Sequence, residues 1–594
     1  MARRKRLGVV ETAAPGASTP CGRLTRMSWS LKKKAQTLLD AEQGTVHKDW
    51  GGKIAVALVY PNAYAVGMSN LGFQTIYRHL NARPDVVCER VFLPDPADLA
   101  EMQRTASAPF SLESQRSLTD FHMVGFSVTY EGDYINVLRL LGLAGIPLRA
   151  TDRRPHDPLV LMGGVCAFSN PEPVAPFMDF VVVGEGEELV GELIDAYRER
   201  YRDRASFLDL LVSLPGVYVP ERYDVRYAAD GTLADVTAAS GAPAIVVKRR
   251  LRDVDAFRTI AAVKTPNAEY GHMALLEVGK GCGRGCRFCL EGQVYRPVRH
   301  RSVDALRETI KQLADEGERR IGLVGACVSD YPWIGDLLKI VEDNGMELSI
   351  SSLRADSLTE DLAASLARGG HRTLTIAPEA GTERLRRAIR KAITDEQILA
   401  ACDLVRAQGI PNLKTYFMIG QPTETDEDVV AIVDLARRML ERLRALDPRG
   451  RPFGRLTLSI SSFVPKPWTP FQWAPFAGAS ALADKLETIK RGARPLGTVR
   501  VLHENPREAA LQALLARGDR RVADFLESAA RLGGDWRRAW REWDGDLDHD
   551  TTRPRALDER LPWDHFEVGV KKVGLIREWQ RAGAADAAPA GTAS

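Results

Sequence analysis

Three of the chain's eight cysteines, Cys282, Cys286 and Cys289, fall within eight positions of the stretch LEVGKGCGRGCRFCLEG (276–292). Thiolates bind soft metals, so the spacing raises three chemistries: a disulfide staple, a zinc knuckle or a reactive iron–sulfur centre. A structural zinc closes with four ligands, commonly as pairs of Cys or of Cys and His. No second C-x-x-C pair exists to complete one, and the nearest histidines, His272 and His300, lack finger spacing. A disulfide would strand one cysteine of the three, and eight cysteines in 594 residues do not make a secreted framework. Three thiolates on a glycine-rich loop can instead hold three irons of a [4Fe–4S] cluster and leave the fourth open to a ligand, where a closed electron-transfer cluster wants four.

The elements that must position this loop show in the apolar pattern. From residue 272, short apolar runs alternate with amphipathic helical stretches: MALLEVGK, RIGLVGA (320–326), LSISSLR (348–354), TLTIAPE (373–379), LKTYFMIG (413–420) and RLTLSISSF (455–463). Alternation of this kind builds a parallel sheet covered by helices. Six repeats fall short of a closed eightfold barrel, so a partial (β/α)6 barrel over residues 268–465 is predicted, with its active residues at the C-terminal strand ends. The cysteine loop directly follows the first strand. Upstream, KIAVALVYP (53–61), MVGFSVTY (123–130), PLVLMGG (158–164) and DFVVVGEGEE (179–188) read as buried strands of a doubly wound, Rossmann-like domain over 51–215. Residues 216–267, with an Asp230-Gly231 turn, read as a hairpin-rich connector. The tryptophan- and charge-rich segment 466–581 reads as a mainly helical C-terminal domain packed over the barrel mouth or rim. Residues 1–50 form an N-terminal extension, and 582–594, AGAADAAPAGTAS, a disordered tail. The fold class is α/β.

The pattern C-x-x-x-C-x-x-C after the first strand of a partial barrel, with Phe288 just before the third cysteine, resembles the radical S-adenosylmethionine superfamily. The resemblance implies that Cys282, Cys286 and Cys289 ligate a [4Fe–4S] cluster whose fourth iron is chelated by S-adenosylmethionine. One electron, supplied by a reductant such as flavodoxin or ferredoxin, then cleaves the sulfonium to a 5′-deoxyadenosyl radical in a water-poor mouth. It also implies S-adenosylmethionine contacts at later strand ends: GLVGACVSD (322–330), Ser351, Ser352 and Arg354, Glu379 and Arg384, and Gly420 in YFMIGQPTET (416–425). Each residue also has a structural reading. Glu379 can cap the helix that follows, Arg384 and Arg386 can be solvated helix charges, and Ser351 and Ser352 can satisfy each other. Cys327 and Cys402 read as small buried residues, as do Cys88 and Cys166.

The doubly wound domain ahead of the barrel is similar to the cobalamin-binding-domain subclass. YPNAYAVGMSNLGFQTIYRHLN, NPEPVAPFMDFVVVGEGEE, FVPKPWTPFQW (463–473) and LPWDH (561–565) are similar to one branch of it, so the resemblance covers nearly the whole chain. It implies cobalamin as a further cofactor, in a crevice bordered by Gly67, Gly163, Gly164, Gly184 and Gly186, and methylation of an unactivated carbon. The D-x-H-x-x-G motif that places a histidine below cobalt is absent; His47, His79, His122 and His156 all lack that context. The rivals are a cobalamin-free hydrogen abstractor, a methylthiolating RNA modifier, and a non-enzymatic iron–sulfur electron-transfer protein. A methylthiolator needs a second cluster from N-terminal cysteines, and Cys21, Cys88 and Cys166 are widely spaced.

The bulk composition sets outer limits. A chain of 594 residues exceeds a single core. A net charge of +3 on 81 basic and 78 acidic residues carries no polyanion signature, so nucleic acid is not indicated. The basic LKKKAQ (31–36) reads as a solvated face. No apolar run approaches the ~20 residues that span a bilayer, and the basic start lacks the apolar stretch of a secretory signal. With the sparse cysteines, this predicts a cytoplasmic protein without a membrane partner.

Overall fold

The computed structural model describes residues 28–200, 203–445 and 450–584. Much of the expected N-terminal extension and most of the expected tail lie outside them; residues 582–584 close a helix, Lys572–Ala584. No helix among the described residues is long and apolar enough to cross a membrane.

The first sheet holds β1 (Ile54–Tyr60), β2 (Val86–Phe92), β3 (Met123–Ser127), β4 (Leu159–Gly163), β5 (Phe180–Val182) and β6 (Val217–Tyr218), in the order β2-β1-β3-β4-β5-β6. All neighbours run parallel except β5 and β6. The order reverses between β1 and β3, which opens a crevice at the C-terminal strand ends. Alternation along β1 explains its unbroken apolar run. Ala55, Ala57 and Val59 enter a core with helix Tyr134–Ala144, while Val56, Leu58 and Tyr60 enter another with helices Leu71–Ala82 and Gly186–Arg200. A parallel strand buried on both faces has no side left for polar residues.

The connector is smaller than the sequence suggests, because β6 joins the first sheet as an antiparallel edge. The expected hairpin is present as β7 (Tyr223–Tyr227) and β8 (Leu233–Ala238), with Asp230 and Gly231 in its loop. A short β9 (Val246–Val247) then pairs with a strand from the far end of the chain.

The barrel begins at β10 (Ala274–Glu277), followed by a small ladder of β11 (Gly279–Lys280) with β12 (Arg299–His300). Its wall continues through β13 (Arg320–Val324), β14 (Glu347–Ile350), β15 (Thr373–Glu379), β16 (Asn412–Ile419), β17 (Arg455–Ser462) and β18 (Val499–His503). β10, β13 and β14 pair in parallel, as do β15 to β18, and a parallel bridge between Leu353 and Ile376 joins the two groups. The six expected strands are all present. The seventh, β18, falls in the stretch expected to be helical: VRVLH is a short edge strand with mostly exposed side chains, so no apolar run announces it. Leu374, Ile376, Leu413, Phe417, Leu456 and Leu458 pack outward on helices Asp395–Ala407 and Asp426–Ala445.

The C-terminal helices divide: helix Ala479–Ala493 packs on the barrel, with Leu482 against Gly420 at the end of β16, while others sit differently from expectation. Helix Val522–Arg531 turns Val522, Phe525 and Leu526 against helix Tyr134–Ala144, so it covers the first sheet's second layer and not the barrel mouth. Helix Lys572–Ala584 reaches the cysteine loop, where Glu578 lies 3.1 Å from Arg287. The strand β19 (Phe566–Glu567) closes on β9. Tryptophans fill the seams: Trp473 and Trp563 are buried, and Trp563 Nε1 donates to Gln472 at 2.9 Å. Trp563→Ala should cost about 3–5 kcal/mol. The check is calorimetry with limited proteolysis, which should show a lower Tm and earlier cleavage of the C-terminal helices.

Candidate functional site

β10 ends at Glu277, and the ladder of β11 and β12 leads the chain out to the cysteines. Gly281 opens the loop in the left-handed region, φ +81°, and a Cβ there would lie 2.5 Å from the Tyr295 carbonyl oxygen. Only glycine allows both the turn and the approach. The three thiols are free and half-buried. The Arg284 amide points at Cys282 Sγ (3.5 Å) and the Gly292 amide at Cys289 Sγ (3.4 Å). Such contacts to sulfur tune a thiolate ligand. Arg287 anchors the loop: its amide donates to the Ile389 carbonyl at 3.0 Å and its guanidinium to the Ala388 carbonyl at 2.5 Å.

Among the described residues, no three His, Cys, Asp or Glu side chains gather closely enough to hold a single metal ion. Four thiolates around one zinc stand about 3.8 Å apart, given a Zn–S bond of about 2.3 Å. Thiols that serve three different irons of a cubane stand further apart, and three free thiols on one loop are the donor set it takes.

Burial raises the Cys286 thiol pKa, with Lys391 and Arg354 opposing it. Burial pushes Cys289 up to about 12, against the Gly292 amide. Thiolates here lose solvation, and the nearby cations offset that loss. Each cation is itself held by a carboxylate. Lys391 is 2.9 Å from Glu379, Arg354 is 2.8 Å from Asp356, and Arg284 grips Asp330 with two bonds of 2.6 Å. Cys327 is half-buried at the end of β13, not a core residue as expected; burial, then Asp330, push its thiol up to about 12. Cys88, Cys166 and Cys402 are buried, as the sequence suggests.

Beside the loop lies a cavity of about 780 Å³. One wall is the first sheet's crevice, with Ser127, Gly163, Gly164, Gly184 and Gly186; the other is the barrel's opening strands, with Glu277, Gly281, Ser349 and Ser351. Two ion pairs join the walls, Glu185 with Arg299 at 2.6 Å and Glu187 with Lys280 at 2.8 Å. Burial works against the Lys280 ammonium, yet Glu277 and Glu187 hold its pKa above the usual lysine range. Glu291 lines the cavity with its side chain exposed to it, and desolvation by the surrounding walls, then Glu277, raise its pKa. The sequence reading passes over Lys280, Glu187 and Glu291. A charge set directly after a glycine at a strand end, GK and GE, was the available signal for the first two.

The other expected residues divide. Ser351 lines the cavity, Ser352 is exposed beside it, and Arg354 and Glu379 are neighbours of Cys286. Glu379 has φ +71° at a register shift in β15, a constrained state for a non-glycine residue. It does not cap the next helix; Thr382 does, accepting from the Leu385 amide. Arg384 is tied to the β16 loop, donating to the Thr423 carbonyl at 2.8 Å and pairing with Asp428. Arg386 is fully buried on Asp395, not solvated. Gly420 has φ +79° and packs so that a Cβ would lie 2.7 Å from Leu482. Gly67 does not line the cavity: a Cβ there would strike the Phe92 ring at 2.6 Å, so it serves packing. Gly164 and Gly184 press on the backbones of Val128 and Arg249, whereas a Cβ on Gly163 would meet nothing nearer than Val182 at 3.8 Å.

The profile described as "Radical SAM superfamily" matches residues 276–436, and "Radical SAM proteins, N-terminal" matches residues 72–220. An uncharacterized protein of Methanocaldococcus jannaschii is 30% identical over 481 residues, 80% of this chain and 90% of that protein. The tRNA-2-methylthio-N(6)-dimethylallyladenosine synthase of Carboxydothermus hydrogenoformans is 27% identical over 184 residues, which is 29% of this chain and 42% of that one. The solved structure of the radical S-adenosylmethionine methyltransferase TsrM from Kitasatospora setae, with cobalamin and a [4Fe–4S] cluster bound, overlays with a TM-score of 0.46 at 16% identity, covering 82% of this chain and 98% of that one. One profile match that spans the cysteine loop, a second over the doubly wound domain, and a relative aligned over most of both chains lead to one conclusion: the chain belongs to the radical S-adenosylmethionine superfamily, in the branch with a doubly wound domain ahead of the barrel.

Proposed function

We propose that Cys282, Cys286 and Cys289 hold the [4Fe–4S] cluster and that S-adenosylmethionine docks against the barrel mouth at Ser351, Arg354 and Glu379. The cluster and S-adenosylmethionine come with the superfamily. Their assignment to these residues rests on one observation: three free thiols share a loop where amides and cations face the sulfurs. When bound, the cluster supplies the electron that cleaves S-adenosylmethionine, drawn from a reductant such as flavodoxin or ferredoxin. The chain's part is positional. Arg287 fixes the loop, Lys391 and Arg354 bring positive charge beside Cys286, and Glu379 holds Lys391 in place. The first sheet forms one wall of the cavity at the mouth, and keeping water from that cavity would spare reactive species side reactions.

The finer reading is cobalamin-dependent methylation. A ligand in the crevice would share one chamber with the cysteine loop, with Gly163 beneath it and Leu58, Phe126, Leu161 and Val182 as apolar wall. No histidine lines that cavity among the described residues, which agrees with the missing D-x-H-x-x-G motif. Methylthiolation has less support. Cys88 and Cys166 lie in cores on opposite faces of the first sheet, and Cys21 lies outside the described residues.

Cys286→Ala, prepared anaerobically, should lose iron and form 5′-deoxyadenosine only at background under dithionite; intact turnover would refute the ligand assignment. Lys391→Met should retain iron yet slow cleavage about 10–100-fold, the range for residues that support a metal site; an unchanged rate would remove its role. Gly163→Leu has room for its Cβ, so it should fold and still cleave S-adenosylmethionine while losing cobalamin, read as bound absorbance after gel filtration. Equal retention by both proteins, or none by the parent, would end the cobalamin reading.

A further inference from the structure

Closed barrels fill their interior with layers of bulky apolar side chains. The inner face of β15–β17 is built otherwise. Leu413 and Phe417 point outward into the helical core, so Lys414 and Tyr416 point inward. Leu456, Leu458 and Ile460 likewise leave Thr457, Ser459 and Ser461 inside. Register sets Thr375 and Thr457 on either side of Lys414, and Ser459 beside Tyr416. All of these inward residues are half-exposed, so this face borders a chamber that solvent reaches.

Lys414 is an unneutralised charge of that chamber, and Arg500 on β18, which register sets level with it across Thr457, is a second. Its ammonium lies 3.1 Å from the Tyr416 hydroxyl and 4.6 Å from the ring centroid, and no carboxylate pairs with it among the described residues. Lys280 and Lys391, by contrast, are each held by glutamates. An ammonium carries three donors, and Tyr416 takes one. The remaining two, with the hydroxyls of Thr375, Thr457 and Ser459, form a set of donors around the Lys414 charge, with the Arg500 cation at the same level.

We propose that this floor binds an oxyanion of the substrate, carboxylate or phosphate, with Lys414 as the charge and Tyr416 holding it in place. The assignment rests on reading the barrel as the reaction chamber. Thr375, level with Lys414, lies four residues below Glu379, about 13 Å along the strand. An acidic end held on the floor would therefore leave the rest of an extended substrate reaching up to the mouth.

The test uses cluster-loaded enzyme and reductive methylation with formaldehyde and a borane, in buffer alone, with inorganic phosphate, or with succinate, at equal ionic strength. Modification of each lysine is read by peptide mass spectrometry. Lys414 should react in buffer and be protected several-fold by phosphate, by succinate, or by both, while the exposed Lys311 and Lys339 react unchanged. The anion that protects more strongly names the substrate's acidic group, and Tyr416→Phe should weaken the protection. Equal modification in all three conditions, or a Lys414 inert even without anion, overturns the proposal. Cleavage of S-adenosylmethionine by the same preparation keeps the readings apart: if it persists without protection, the anion site alone fails; if it is absent, the assignment of the cysteine loop fails with it.

Discussion

Two buried ion pairs, Glu187 with Lys280 and Glu185 with Arg299, decide how the rest of the molecule can work. They fasten the loop at the end of β5 to the ladder that launches the cysteines. Desolvating such charges costs several kcal/mol per ion, and a well-packed apolar contact would often serve stability as well. What charged pairs add is orientation, since each donor accepts only a narrow approach. Here orientation is what matters: with the pairs formed, the crevice of one sheet and the mouth of the other open into the same cavity.

The same device recurs around the thiols. Lys391 is tethered to Glu379, Arg354 to Asp356, and Arg284 to Asp330 with Asp356 at 3.5 Å. A free lysine or arginine would sample many rotamers and deliver its charge diffusely. A tethered one delivers it at one place. An anionic group on the cysteine loop would thus meet a field set in advance, which costs nothing in reorganisation when charge shifts there.

How much of this was legible in the sequence follows from the range of the interactions. Strands buried on both faces declare themselves, so β1, β3, β4 and the six barrel strands could be read from apolar runs. Edges could not: β6 has two paired residues, and β18 exposes most of its side chains. The cysteine loop was legible because its ligand spacing is local. Arg384 was not, because its partner Asp428 is 44 positions away and a solvated arginine looks the same in a sequence. Gly67 fails for a related reason: a glycine that makes room for Phe92 and one that makes room for a ligand are the same letter. The placement of helix Val522–Arg531 depended on which apolar surface lacked a cover, a property of the whole fold.

The two walls of the cavity and the barrel floor differ in chemistry, and that difference constrains the reaction. Leu58, Phe126, Leu161 and Val182 with glycines beside them suit a large flat group held by shape. Thr375, Lys414, Tyr416 and Ser459 suit a polar group held by charge and hydrogen bonds. A radical reaction offers little intrinsic selectivity among similar C–H bonds, so the site of attack has to be chosen by where the substrate is pinned. A point charge low in the barrel, with hydroxyls to fix direction, pins one end and leaves the other to be presented at the mouth. Orientation of this kind can supply several kcal/mol of a barrier, and it does so with residues that never touch the reacting carbon.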